Sequence, residues 1–206
     1  MPRNSMIYVR YDFCILVALS LFVLPVSWVL GWAIAAGIHE LFHIIAIRIC
    51  RVKILSFGLV SSGAVIQTEA MPPLKEGLCA LAGPVGGLIS ILFLRVMPQI
   101  AVCAVVQSVY NLIPVYPLDG GRAFRCLIAL LAGEELTEKI SKLTSITTIA
   151  LIGVLSSGFA YRYQLGLMAV VFPVLPLVFV FSKNSLHYSR NNSTIIAHSF
   201  NSERTL

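Results

Sequence analysis

The chain has 206 residues, of which 58% are hydrophobic and only 12% charged, with a mean hydropathy of +0.89. Such a composition excludes a water-solvated globular domain and implies a polytopic membrane protein. The net charge of +6 comes without any basic patch interleaved with aromatic residues, so the partner it implies is the anionic lipid bilayer and not nucleic acid.

A helix crossing about 30 Å of hydrocarbon needs roughly 17 to 25 mostly apolar residues. In chain order, spans are predicted at about 13–29, 31–50, 77–95, 99–131, 143–160 and 163–182. The expected fold is thus an all-α membrane protein of about six transmembrane helices. The first apolar stretch must fold back, because residues 13–47 as one helix would be roughly 52 Å long. Pro25 and Gly31 mark the break. The apolar run continues past any signal-peptide core and has no clear small-residue cleavage site, so a cleaved leader is not expected.

Between the second and third spans, "KILSFGLVSSGAVIQTE" (53–69) places β-branched and apolar residues around Ser61, Ser62 and Gly63, which reads as a small membrane-associated β-hairpin or as a plain connector. Orientation follows from the cationic residues. With the N-terminus inside, Arg3, Arg10, Arg48, Arg51, Lys53, Lys75, Arg122, Arg125, Lys139, Lys142, Lys183, Arg190 and Arg204 fall on the cytoplasmic side and only Arg95 and Arg162 outside. A multi-pass protein with both termini cytoplasmic is expected. Residues 1–182 form the polytopic domain and 183–206, polar and rich in Asn and Ser, a flexible cytoplasmic tail that carries His187 and His198. Cys14, Cys50, Cys79, Cys103 and Cys126 are odd in number and unclustered, which suggests packing residues and no disulfide framework.

The second span contains "HELFH" at 39–43. Residues four apart share a helix face, so His39 and His43 can direct two imidazole nitrogens at one metal ion. Glu40 lies one step round the helix, too far to be an easy third ligand but placed to take a proton from a water and hand it to a leaving amine. Hydrogen-bonded core histidines are the bland alternative, and in hydrocarbon they leave Glu40 without a purpose. A catalytic zinc site needs a third protein ligand and an open position. The remaining carboxylate within the spans is Asp119, in "NLIPVYPLDGGR" (111–122), where Pro114 and Pro117 prevent a regular helix and Gly120 and Gly121 loosen the turn that follows. Irregular backbone at membrane depth is tolerated only where protein or a watery cavity satisfies it. Glu69 and Glu76 are weaker candidates at loop or interface positions.

These two motifs together resemble the site-2 protease family of intramembrane zinc metalloproteases, over roughly residues 30–130. The compact length is most like the group of the stage IV sporulation protein FB, which processes a transcription factor precursor. The resemblance implies His39, His43 and Asp119 as ligands of Zn2+ and Glu40 as the catalytic glutamate. It implies that Asn111 orients substrate or polarises the scissile carbonyl; a helix-breaking polar contact is the alternative. "LAGPVGGLIS" (81–90) is similar to the family's Gly-Pro element, with Gly83 and Pro84. Gly87 stands where the family often has Asn, so a substrate-holding role there is in doubt, and close helix packing through Gly83, Gly86 and Gly87 is the other reading. The hairpin's free edge could pair with an extended substrate.

The expected activity is hydrolysis of a peptide bond in or beside a transmembrane segment of a membrane-associated protein. A bacterial cell membrane, regulatory membrane proteins and a homo-oligomer are expectations of the resemblance alone. A metal transporter using the same ligands, or an inactive membrane scaffold, are the competing classes. The first needs a second polar station along the spans, and the second has no use for Glu40.

Overall fold

A computed structural model of the chain describes residues 6–60, 63–164, 174, 177 and 178. In chain order it has β1 (Met6–Val9), α1 (Tyr11–Val23), α2 (Val26–Ile49), β2 (Ile54–Val60), β3 (Gly63–Thr68), α3 (Pro73–Ile89) continued by a 3-10 turn Ser90–Phe93, α4 (Pro98–Asn111), α5 (Asp119–Ala132) and α6 (Glu134–Arg162). Two compact units divide at residues 142 and 143. The first holds everything up to the start of α6, the site included. The described part of the second is the remainder of α6, whose Leu151, Val154, Leu155 and Phe159 are exposed, with residues 163, 164, 174, 177 and 178.

Three of these helices are long and apolar enough to cross a membrane: Val26–Ile49, Pro73–Phe93 and Leu136–Arg162. The expectation of six spans is therefore too high for the described residues, and the reasons are local. α1 has 13 residues, a length of about 20 Å, which is short of a bilayer core. The run 99–131 is not one span: Pro114 and Pro117 end α4 at Asn111 and delay α5 until Asp119, leaving two helices of 14 residues each. The predicted span 163–182 and the tail 183–206 lie outside the described residues, apart from isolated positions in the former.

The fold-back falls at Leu24 and Pro25, both in extended conformation. Gly31 takes no part in it. It lies within α2 and faces α4, where an added Cβ would sit 3.5 Å from Cys103 Sγ and 3.8 Å from the Gln99 carbonyl. This is close packing through a small residue.

The expected hairpin is present as β2 and β3, antiparallel, with Phe57 opposite Ile66 and Leu59 opposite Ala64. Gly63 opens β3 with φ +116, a conformation that L side chains rarely adopt. The pure hairpin needs correction, since β1 pairs in parallel with β2 to give a three-stranded sheet in the order β1-β2-β3. Tyr8 lies over Gly58, where any Cβ would collide with its ring, and Ser56 Oγ donates to Gln67 Oε1 across the strands at 2.8 Å.

The first unit is held together by close helix contacts among α2, α3, α4 and α5. Buried positions here are small: Ala35, Cys79, Ala80, Gly83, Gly86, Gly87, Cys103 and Ala104. Most of the large apolar side chains point outward, Phe22 at 91% exposure being the extreme, while Ile47, Val115 and Ile128 are buried. That inversion is what helices surrounded by lipid show, because burying Leu against another helix gains little over leaving it in hydrocarbon.

Candidate metal centre

α2 buries Gly31, Ala35, His39, His43 and Ile47, one residue in every four. The i, i+4 spacing therefore does place both imidazoles on the inner face. Asp119 is brought to them by the turn 112–118 and the start of α5. Val115 is fully buried in that turn, and the peptide bond Tyr116–Pro117 is cis. Gly120 and Gly121 allow the first turn of α5 to lie against it. A Cβ on Gly120 would collide with the Leu112 carbonyl, and one on Gly121 with the backbone of Val115 and Tyr116. The glycines expected to loosen a turn instead let two pieces of backbone pack tightly.

The result is a triangle of ligand atoms. Nε2 of His39 and Nε2 of His43 lie 3.0 and 3.2 Å from the same oxygen, Oδ2 of Asp119, and 3.2 Å from one another. Ligands about 2.0 to 2.1 Å from a tetrahedral zinc would be separated by roughly 3.3 Å, so the three atoms are already spaced as such an ion requires.

Proton positions give an independent reason for a cation. Nδ1 of His43 is 2.8 Å from the carbonyl of Cys79, which can only accept, so this nitrogen carries the hydrogen. A neutral His43 then turns its Nε2 lone pair toward the Asp119 carboxylate, another acceptor. The Asn111 side-chain amide Nδ2 lies 3.3 Å from His39 Nε2 and can only donate, so a lone pair faces the same point from that side. Three acceptors converge. A proton on one ring would relieve one contact, whereas a divalent ion meets all three, and the Cys79 bond to His43 is the kind of second hydrogen bond that orients a ligating imidazole.

α3 leaves the room. Gly83 faces the two rings, and a Cβ built on it would collide with Nε2 of His43 and stand 2.7 Å from Nε2 of His39. The missing side chain thus leaves open space beside both Nε2 atoms. His39, His43 and Asp119 form the group of metal-ligating side chains found among the described residues, with both histidines buried.

The other predicted residues are placed as follows. Glu40 is half-buried beside the cluster, within electrostatic reach of His39, His43, Asp119 and Arg122. Asn111 touches His39. Pro84 is fully buried inside α3, and Pro114 and Pro117 lie in the turn between α4 and α5. Gly87 is packed on α4, where a Cβ would collide with Ser108 Oγ and stand 2.9 Å from the Ala104 carbonyl. An Asn could not occupy that position without α4 moving away.

Of the weaker acids, Glu69 is paired with Lys53 at 3.5 Å on the surface, and Glu76 with Arg122 at 3.4 Å. Neither reaches the cluster. Sequence reasoning missed the Cys79 carbonyl, which no side-chain pattern reveals, and the Glu76–Arg122 pair, which ties the first turn of α3 to that of α5.

The helical arrangement and its buried cluster define a membrane-embedded fold with a candidate metal centre. Among solved structures, it is similar to a site-2 protease from Methanocaldococcus jannaschii, with a TM-score of 0.64 over 86% of this chain and 90% of that one, at 20% identity. No family model matches the sequence, and no curated protein does. The likeness is therefore one of fold, and the chemistry rests on the geometry of the residues themselves.

Proposed function

We propose that the protein is an intramembrane zinc metalloprotease of the site-2 type, hydrolysing a peptide bond within or beside a transmembrane segment of a membrane-associated protein. The observation that carries this reading is the convergence of the ligand atoms of His39, His43 and Asp119 on one another, with Gly83 leaving room beside the two rings. The shared fold supports it. His39, His43 and Asp119 would hold the ion. When bound, zinc supplies Lewis-acid polarisation of the scissile carbonyl and makes an attacking water more acidic.

The chain's own residues do the rest. Glu40, one position from a ligand yet outside the triangle, accepts the proton of the attacking water and returns it to the leaving amine nitrogen. The Cys79 carbonyl holds the His43 ring in the required tautomer. Asn111, 3.3 Å from His39 Nε2, is positioned to donate to the substrate carbonyl once the His39 lone pair is engaged elsewhere. The outer edge of β3 can hold the substrate in extended form by main-chain pairing, as a protease requires.

On this reading water enters from the cytoplasmic side, and a cleft of about 520 Å³ whose lining includes Glu76, Tyr116 and Arg125, next to the turn that leads into Asp119, is the candidate route. Cysteine-labelling at positions around Tyr116 should then show access from inside, and access only from outside would defeat this route. A precursor of a transcription or sporulation factor is the substrate type that the sequence resemblance favours.

The deciding experiment is Glu40→Gln with zinc content and cleavage measured on the same preparation. A protease keeps its zinc and loses cleavage by about 10²- to 10⁴-fold. Unchanged cleavage would sink the proposal.

A further inference from the structure

Nδ1 of His39 is buried and, among the described residues, has no hydrogen-bond partner; Oε1 of Gln107 and the hydroxyl of Tyr110 are in the same condition. With Nε2 turned to Asp119 and to the Asn111 amide, a neutral His39 carries its hydrogen on Nδ1. A buried N–H without an acceptor is destabilising, and histidines that hold metal ions almost always donate this second hydrogen to a neighbouring acceptor.

The register of α2 against α4 narrows the search for that acceptor. Gly31 faces Gln99 and Cys103, Ala35 packs with Cys103 and Ala104, and His39 meets Asn111. The two helices therefore run in the same direction and keep step, which puts the turn 107–111 of α4 level with His39. In that turn Ser108 is turned to Gly87 of α3 and donates to the Ala104 carbonyl, while Val109 is exposed. Gln107 lies four residues before Asn111 and so on the same face as the residue that touches His39. A donor and an acceptor, each buried and unpartnered, are thus brought to one level of one helix interface.

We propose that Gln107 is a positioning residue for His39. Its Oε1 accepts the Nδ1 hydrogen through one bridging water, and this fixes the ring orientation and the tautomer that leaves the Nε2 lone pair for the metal ion. The inference rests on the metalloprotease reading above and deepens it.

The test measures zinc affinity by chelator competition on the purified full chain in detergent, for wild type, Gln107→Leu, Gln107→Glu and Tyr110→Phe, together with the ¹⁵N shifts of the His39 ring in zinc-free protein. Gln107→Leu should weaken zinc binding by about 10- to 100-fold and release the fixed tautomer, whereas Gln107→Glu, which keeps an acceptor oxygen, should remain near wild type. Tyr110→Phe should change neither. Equal affinity and an unchanged tautomer in Gln107→Leu would overturn the proposal, as would a Gln107→Glu protein as weak as Gln107→Leu, which would make the residue mere packing. Loss on Tyr110→Phe alone would move the acceptor to Tyr110 and overturn it too. Wild type that binds no zinc removes the metalloprotease reading and this inference together; wild type that binds zinc but is indifferent to residue 107 removes this inference alone.

Discussion

α1 and α2 are consecutive, both strongly apolar and separated by a two-residue break, yet α1 buries none of its residues and α2 buries every fourth one from Gly31 to Ile47. The difference is not hydrophobicity. α2 carries Gly31 and Ala35 on the row that continues into His39 and His43, and those small residues let α4 approach closely. α1 has many large aliphatic and aromatic side chains, and among the described residues nothing docks closely enough to bury them. In a lipid environment, then, the helix that gains partners is the one with less side chain to offer.

That contrast can be broken from the α2 side first. Gly83→Ala places a methyl group onto Nε2 of His43, so zinc content of the purified protein should fall to background and cleavage should vanish with it. Retention of stoichiometric zinc would show that the opening at Gly83 is not where the ion sits. Ala35→Leu overfills the row one turn before His39, against Cys103 and Ala104, and should cost about 1–3 kcal/mol, visible as a lowered thermal midpoint in detergent. If the midpoint does not move, the α2–α4 contact is looser than the packing implies. The control is Leu19→Ala on α1, where the side chain is 59% exposed; stability should stay within about 0.5 kcal/mol and zinc binding should be unaffected.

Much of the site can be read without coordinates, for a physical reason. Two histidines four apart on a helix share a face whatever the tertiary structure, and Asp119 is the carboxylate left over in a chain that cannot afford idle charges at membrane depth. What could not be read depends on neighbours distant in sequence. The Cys79 contribution is a backbone oxygen. The reason for Gly83 is an empty volume under rings forty residues earlier, and the reason for Gly87 is a hydroxyl on α4. Span counting failed because it scored apolar length: residues 99–131 are apolar enough, but Pro114 and Pro117 decide where the helices stop. β1 escaped notice since four residues show no periodicity, and their partner is remote.

That remote pairing bears on the order of assembly. Met6 lies opposite Ser56, fifty positions later, and between them the chain runs out along α1 and returns along α2. The parallel ladder cannot close until the whole helical pair has been synthesised and laid into the bilayer, so the leading strand must wait, unpaired, while its mate is still being made. Formation of the sheet is thereby a late event that reports on the success of an earlier one. A chain whose first two helices inserted with the wrong hand or depth would be left with a four-residue strand bare on both sides.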